Sequence, residues 1–298
     1  MSVLSPDVVA GIEDLELAAR VVVEGLRAGS HRSPYHGYSA EFQQHRPYRP
    51  GDDLKYLDWK VLGRSDRLYS RQFRETTSMS VLLLPDTSAS MGFPETGVTK
   101  FRYASVLAAA LAYLVTTRGD AVGMLTQGTR RAEYVPARSG RPHLQALLAA
   151  LDRLRPQGSW DGPRMIALAA ERLRKPGVLI VLSDFYDDEE ATATALRRAA
   201  RAGHDVAMLQ MTSADERSLS HSGHLEFVDA ESGGRRVVDA TGAAPAYAAA
   251  VAAFHERCRT QAHRDGIDYA LVATEDPPAQ ALRQYLLLRS AAAPGARR

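Results

Sequence analysis

VLLLPDTSASM, residues 81–91, decides how this chain is read. Val81 to Leu84 form an unbroken apolar run, the pattern of a strand buried on both faces of a parallel sheet. Asp86, Ser88 and Ser90 then alternate through a turn that leads toward a helix. One carboxylate and two hydroxyls therefore stand at the carboxyl end of a strand, where open α/β sheets bind their ligands. A hard cation such as Mg²⁺ accepts that set of oxygens and keeps several waters. The competing reading is a turn in which short polar side chains satisfy nearby backbone groups and start a helix.

Downstream, a loop with Gly92, Pro94 and Gly97 precedes a helix from about Lys100 to Thr117. Gly119-Asp120 turns the chain into a second strand, AVGMLT, and Gln127-Gly128 before AEYVP marks a hairpin to a third. Pro142 opens a helix through Leu154, and the polar loop PQGSWDG precedes another to about Lys175. KPGVLIVLSDF then repeats the opening stretch, with a strand from Val178 to Leu182 running into Ser183-Asp184. A helix over Asp188–Ala202 carries acids first and arginines last, as the helix dipole favours, so Asp187, Asp188, Glu189 and Glu190 read as a helix-start charge run. Asp205–Leu209 is a fifth strand. HLEFVDAESGGRRVVDA is a hairpin turning on Gly233-Gly234. An alanine-rich helix over Ala246–Arg264, a sixth main strand over Tyr269–Ala273 and a helix over Pro278–Arg289 follow.

Strands alternating with helices at this spacing predict a doubly wound, mostly parallel α/β sheet of order 3-2-1-4-5-6. Counted from Val81, the first and fourth strands meet at the switch point, which brings Asp86 and Asp184 to one crevice.

Upstream, Pro6 and the periodic Val8, Val9, Ile12, Leu15, Ala19, Val22 and Leu26 predict one helix ending at Gly29. From His31 to Phe73, turn residues abound and no helical period is sustained, while aromatics such as Tyr35, Phe42, Tyr56 and Trp59 mix with basic groups. Arg67 to Phe73 alternates like a strand. Interleaved aromatic and basic residues can serve single-stranded nucleic acid. A loop-rich segment held to the sheet by aromatic packing and Arg–carboxylate pairs explains the same residues more simply. The expected divisions are residues 1–76, an N-terminal helix plus loop-rich extension; 77–290, the α/β domain; and 291–298, a flexible tail.

At 298 residues with 45% hydrophobic content, the chain can bury a sizeable core without a staple. One cysteine, Cys258, excludes a disulfide framework and reads as a helix-face packing residue. No signal peptide pattern opens the sequence and no apolar run reaches the ~20 residues of a membrane span. A cytoplasmic protein is expected, and a net charge of +2 gives no separate sign of a nucleic-acid partner.

Asp86-Thr-Ser-Ala-Ser90 resembles the DxSxS element of the von Willebrand factor type A domain. That family's metal-ion-dependent adhesion site holds Mg²⁺ through the aspartate and both serines. The resemblance implies a further aspartate after the fourth strand, matched by Asp184, and a threonine from the loop after the third. Gln157 to Asp161 contains no threonine, so either Ser159 supplies the hydroxyl or the site lacks one ligand. Arg46, Tyr48, Gly51, Asp52, Asp53, Asp58, Trp59 and Arg64 together resemble the signature of the bacterial family called domain of unknown function 58, which precedes a von Willebrand type A-like domain. Ion pairs of the acids with Arg46, Arg49 and Arg64 give these residues a structural role.

The resemblance implies a non-catalytic protein-interaction module that works with a MoxR-type AAA+ ATPase, or that ATPase's client, in assembling or activating other proteins. A metal-dependent phosphohydrolase using Asp86 is the alternative. Ser88 stands where such an enzyme carries its proton-transferring acid, and no phosphate loop, nucleophile elbow or HExxH is present. Nucleic-acid binding through residues 31–73 ranks third, and no membrane partner is expected.

Overall fold

The computed structural model describes residues 4–28, 42–47, 59–65, 68–73, 79–94, 97–128, 131–219 and 223–292. By internal contacts it divides into a small unit, Tyr35–Ser78, and a large one, Met1–Pro34 with Met79–Arg298.

The large unit opens with two helices, α1 (Pro6–Ala10) and α2 (Leu15–Ala28), where the periodicity predicted one. Gly11, a poor helix former, closes α1, and Asp14 starts α2 by accepting the Glu16 N–H at 2.7 Å. The carbonyls freed at the break are taken by Arg102, whose Nε donates to Ala10 O at 2.9 Å and whose Nη2 donates to Ile12 O. Gly29 lies outside the described residues.

In the small unit, β1 (Phe42–Pro47) pairs antiparallel with β2 (Tyr69–Phe73), and α3 (Trp59–Ser65) lies between them in sequence. The expected strand at residues 67–73 is therefore present. The absence of regular structure expected around it is corrected by β1 and α3.

The sheet contains β3 (Ser80–Pro85), β4 (Ala121–Gln127), β5 (Ala132–Arg138), β6 (Val178–Ser183), β7 (Asp205–Thr212) and β10 (Asp268–Ala273). The remaining pair, β8 (His224–Val228) and β9 (Arg235–Asp239), forms a separate hairpin. Spatial order is β10-β7-β6-β3-β4-β5, which is the predicted 3-2-1-4-5-6 once the hairpin is set aside. All neighbours are parallel except β4 and β5, joined by the predicted hairpin.

Helices cover both faces. Val81 and Leu83 belong to the core beneath α2, α4 (Lys100–Thr117), α5 (Arg141–Arg153) and α10 (Pro278–Ala292). Leu82 and Leu84 belong to the opposite core, beneath α6 (Gly162–Arg172), α7 (Glu189–Arg201) and α9 (Ala240–Arg264). Cys258 is buried in that second core, as its helix-face reading required. A short helix, α8 (Ala214–Arg217), was not anticipated, and α9 begins six residues before the predicted Ala246 because Asp239 caps it by accepting the Thr241 N–H at 3.1 Å.

The expected boundary near residue 76 falls close to the division at Ser78. The grouping of the first helix with the loop-rich segment is corrected, because Leu15, Ala18, Ala19, Val22 and Leu26 of α2 are buried in the core of the sheet unit. Most of the predicted tail lies outside the described residues. Among the described residues, no helix is long and apolar enough to cross a membrane.

Because Leu83 is fully buried in the central strand, Leu83→Ala should destabilise the fold by about 2–5 kcal/mol. Urea unfolding should show a lower midpoint at unchanged slope. Val237→Ala, on the exposed hairpin, should stay within ~0.5 kcal/mol of the parent.

Candidate functional site

Parallel pairing of β3 with β6 sets Leu84 beside Val181 and Pro85 beside Leu182. One step further, the Asp86 N–H donates to Leu182 O at 2.9 Å. The two strands thus end together, and Asp86 and Asp184, each 2% exposed, come to the same crevice. Asp86 Oδ1 accepts the Ser88 N–H at 2.7 Å, and Oδ2 accepts the Ser183 hydroxyl at 2.6 Å. Ser183 Oγ in turn accepts the Phe185 N–H at 2.9 Å. Phe185 is buried with φ 59°, a left-handed conformation that a bulky side chain resists. Such strain persists where the surroundings over-determine it. Here it accompanies the turn by which the chain leaves β6, with Asp184 Oδ1 accepting the Tyr186 N–H at 3.2 Å.

Ser88 Oγ and Ser90 Oγ lie 2.9 Å apart. The loop at 157–161 docks directly on this turn: the Gln157 N–H donates to Thr87 O, and the Ala89 N–H to Gly158 O, each at 2.8 Å. Gly158 has φ +65°, which a glycine adopts without strain. Ser159 follows on the exposed side of this loop, its carbonyl accepting from Gln127 Nε2 at 2.8 Å.

A residue outside the sequence expectation enters here. Lys100, the first residue of α4, is fully buried, and its ammonium donates to Asp184 Oδ2 at 2.7 Å and to Glu216 Oε1. Glu216 is held by a capping box on α8, accepting the Ser213 N–H at 3.0 Å while its own N–H donates to Ser213 Oγ. Burial alone would lower the Lys100 ammonium, but Asp184 and Glu216 outweigh it and raise it. Lys100 is therefore a fixed positive charge, offsetting the unfavourable place of a cation at a helix amino terminus. Burial, then the neighbouring charge of Asp184, pushes the Asp86 carboxyl up to about 7, against the hydrogen bonds from Ser183 and Ser88.

The one ammonium is taken up by Asp184 and Glu216, and Asp86, beside Asp184, has no cation of its own. Either a proton on Asp86 or a further cation must relieve the excess. The donor set fits a hard cation. Ligands at about 2.1 Å from Mg²⁺ and at right angles lie about 3 Å apart, and the two serine hydroxyls have that separation. Asp86, Ser88 and Ser90 would hold the ion. Asp184, committed to Lys100, would reach it with its other oxygen or through water. Among the described residues, no three His, Cys, Asp or Glu side chains gather into a metal-holding group, so hydroxyls must complete any site.

Of the sequence-nominated residues, Asp86, Ser88, Ser90 and Asp184 are brought together. The Ser159 hydroxyl makes none of the hydrogen bonds that link them. Asp188 caps α7 by accepting the Ala191 N–H, and Asp187 accepts the Gly162 N–H, each at 2.9 Å, in keeping with their reading as a helix-start run. Of the upstream signature, Arg46 lies in β1 opposite Ser70, Trp59 opens α3, and Arg64 is exposed on α3. Tyr48, Gly51, Asp52, Asp53 and Asp58 lie outside the described residues, as do Arg49 and most of the basic-aromatic segment. Lys100 and Glu216 were missed. Their available signals were a lysine opening a largely apolar helix and a Ser-x-x-Glu capping box directly after an apolar strand.

The family model described as "Protein of unknown function DUF58" matches residues 44–258. The chain belongs to this family. The uncharacterized protein Rv1480 of Mycobacterium tuberculosis (strain ATCC 25618 / H37Rv) is 29% identical over 232 residues, covering 76% of this chain and 72% of that protein. Uncharacterized protein YeaD of Bacillus subtilis (strain 168) is 30% identical over 120 residues, covering 40% and 28%. Among solved structures, the conserved hypothetical protein BatB from Bacteroides thetaiotaomicron aligns with a TM-score of 0.49 at 18% identity, covering 72% of this chain and 98% of that one. An aerotolerance-related membrane protein from Bacteroides fragilis NCTC 9343 aligns with a TM-score of 0.49 at 20% identity, covering 70% and 97%.

Two expected outcomes follow from the charges. An unfolded aspartate titrates near 3.8 and the folded Asp86 near 7. Between those values the folded state keeps a proton that the unfolded state has lost, so stability falls as pH rises through this window and levels off above it. Denaturant unfolding in chelator should show that fall, and Asp86→Asn should flatten it. Lys100→Met leaves buried Asp184 and partly buried Glu216 without their counter-charge. It should cost about 3–5 kcal/mol at neutral pH, read by thermal or urea unfolding.

Proposed function

We propose that this chain is a non-catalytic protein-interaction module that captures a carboxylate of a partner protein through a divalent cation held by Asp86, Ser88 and Ser90. The observation that carries this reading is the convergence of two buried carboxylates and two hydroxyls 2.9 Å apart at the ends of β3 and β6. When bound, Mg²⁺ would offer a coordination position that a partner's Asp or Glu can fill.

The chain's own residues divide the remaining work. Ser183 and the Ser88 N–H fix both oxygens of Asp86, so the carboxylate is oriented before anything binds. Lys100 and the Tyr186 N–H fix Asp184. Gln210, buried and bonded to Tyr269 OH at 2.8 Å, donates to Asp184 O at 3.0 Å and braces the end of β6. Such preorganisation lowers the ordering cost of binding. Ser88 offers only a hydroxyl where such an enzyme would carry its acid, which gives a hydrolytic reading no proton-transferring acid at that position.

The partner this reading favours is a MoxR-type AAA+ ATPase or its client, in keeping with the family resemblance. Affinity capture with that purified ATPase should succeed in Mg²⁺, fail in EDTA, and fall at least tenfold for Asp86→Ala. Capture that survives both chelation and the substitution would overturn the proposal.

A further inference from the structure

The sheet ends at β5, its edge strand. On one face α6 packs over β3, β4 and β6, which leaves β5 open beside it. Two cavities, of 640 and 580 Å³, lie along this flank and share Tyr134, Leu168 and Arg172, so they form one groove between β5 and α6. Its walls follow from two periods. Arg164, Leu168 and Arg172 recur at every fourth residue and fall on one flank of α6. Ala132 and Tyr134 alternate on β5, and the register shift between Val122 and Met124 of β4 brings Ala137 to the same side. Arg131 stands at one end, and Arg174 and Lys175, just past α6, at the other. The seven residues of β5 give the groove a length of about 23 Å.

Five basic groups border this groove against two acids, Glu133 and Glu171. Among the described residues, Arg131, Arg164, Arg172, Arg174 and Lys175 form no ion pair with a carboxylate. The groove between α7 and α9 differs, because Arg197 and Arg257 on its rim are paired with Asp265 and Glu189. Free guanidinium groups match carboxylates and phosphates in planar, bidentate fashion. The half-buried Ala132, Tyr134, Ala137 and Leu168 decide between them. Tyr134 packs against the core beneath α6 and carries the Arg172 guanidinium over its ring at 5.1 Å, so that ring is not offered to a nucleobase for stacking. Apolar surface between the cations, with two acids spaced among them, fits a peptide whose carboxylates alternate with apolar side chains better than a polyphosphate charged at every residue. Pro136, which has no N–H, interrupts the main-chain row of β5, so side chains must hold the occupant.

We propose that the groove between β5 and α6 is a second docking surface, which takes an extended acidic segment of a partner protein with its carboxylates on Arg131, Arg164 and Arg172 and an apolar side chain over Leu168. It needs no divalent cation and so works independently of the strand-end crevice. Exposed ion pairs are weak singly. Several along one segment add up to a contact that is sensitive to salt and speeds encounter with an acidic partner.

Fluorescence anisotropy on the full chain, in EDTA so that the crevice takes no part, tests this with a labelled peptide of about eight residues in which glutamate alternates with leucine. The parent should bind it, less tightly as salt rises, and should ignore the peptide with lysine in place of glutamate. Arg164→Ala and Arg172→Ala should each weaken binding about threefold, and Arg164→Glu combined with Arg172→Glu should abolish it. Arg201→Ala, exposed on α7, should change nothing. Circular dichroism checks that the double variant is folded, and the two alanine variants decide the matter if it is not. Absence of binding at millimolar peptide, or parent-like affinity in the arginine variants, would overturn the proposal. So would a single-stranded oligonucleotide that binds more tightly than the peptide and loses affinity in the same variants, or sedimentation showing that the groove is filled by a second copy of this chain.

Discussion

β3 has no polar side chain to turn toward water from Val81 to Leu84, so both of its faces must be covered. A strand under that constraint can only lie in the interior of a sheet with helices above and below, and its neighbours must satisfy its backbone on both edges. β4 and β6 do so in parallel. Everything at the site descends from this. Parallel neighbours end on the same side, so the residues following β3 and β6 share one crevice, and the apolar run makes that crevice the first place where polar groups can appear.

The polar groups there are arranged around charge that is nearly out of reach of solvent. Coulomb interactions are stronger in such surroundings than at a surface, and an unpaired charge is costly. Lys100 settles part of the account for Asp184 and Glu216. Asp86 retains its excess, which is why it holds a proton near neutrality or welcomes a cation. The same carboxylate is therefore a stability liability in the bare protein and the strongest anchor available to a ligand of opposite charge.

The fold was legible because two-sided burial and strand–helix alternation are local signals: the strands around Asp86 and Asp184, their order and the helix from Lys100 to Thr117 are all readable from short windows. Asp86, Ser88, Ser90 and Asp184 were legible for the same reason, since each follows directly from a strand end. Lys100 was not. Its partners lie 84 and 116 residues away, and which side of a helix meets which strand end depends on packing that no local window contains. Regular structure was underestimated in β1 and α3, where Pro- and Gly-rich flanks obscure short elements. The break between α1 and α2 was hidden by an apolar period that runs straight across Gly11, while the deciding interaction comes from Arg102, 90 residues on.

Cys258 carries a consequence of a different kind. Burial among α7, α9 and the sheet raises its thiol to about 11, and the thiolate is the form that reacts with alkylating and oxidising reagents. At neutral pH the sulfur is thus chemically silent until α9 lifts from the sheet. As the single thiol of the chain, it is a built-in clock: its rate of labelling reports how often the face opposite α4 opens, independently of any event at the strand ends.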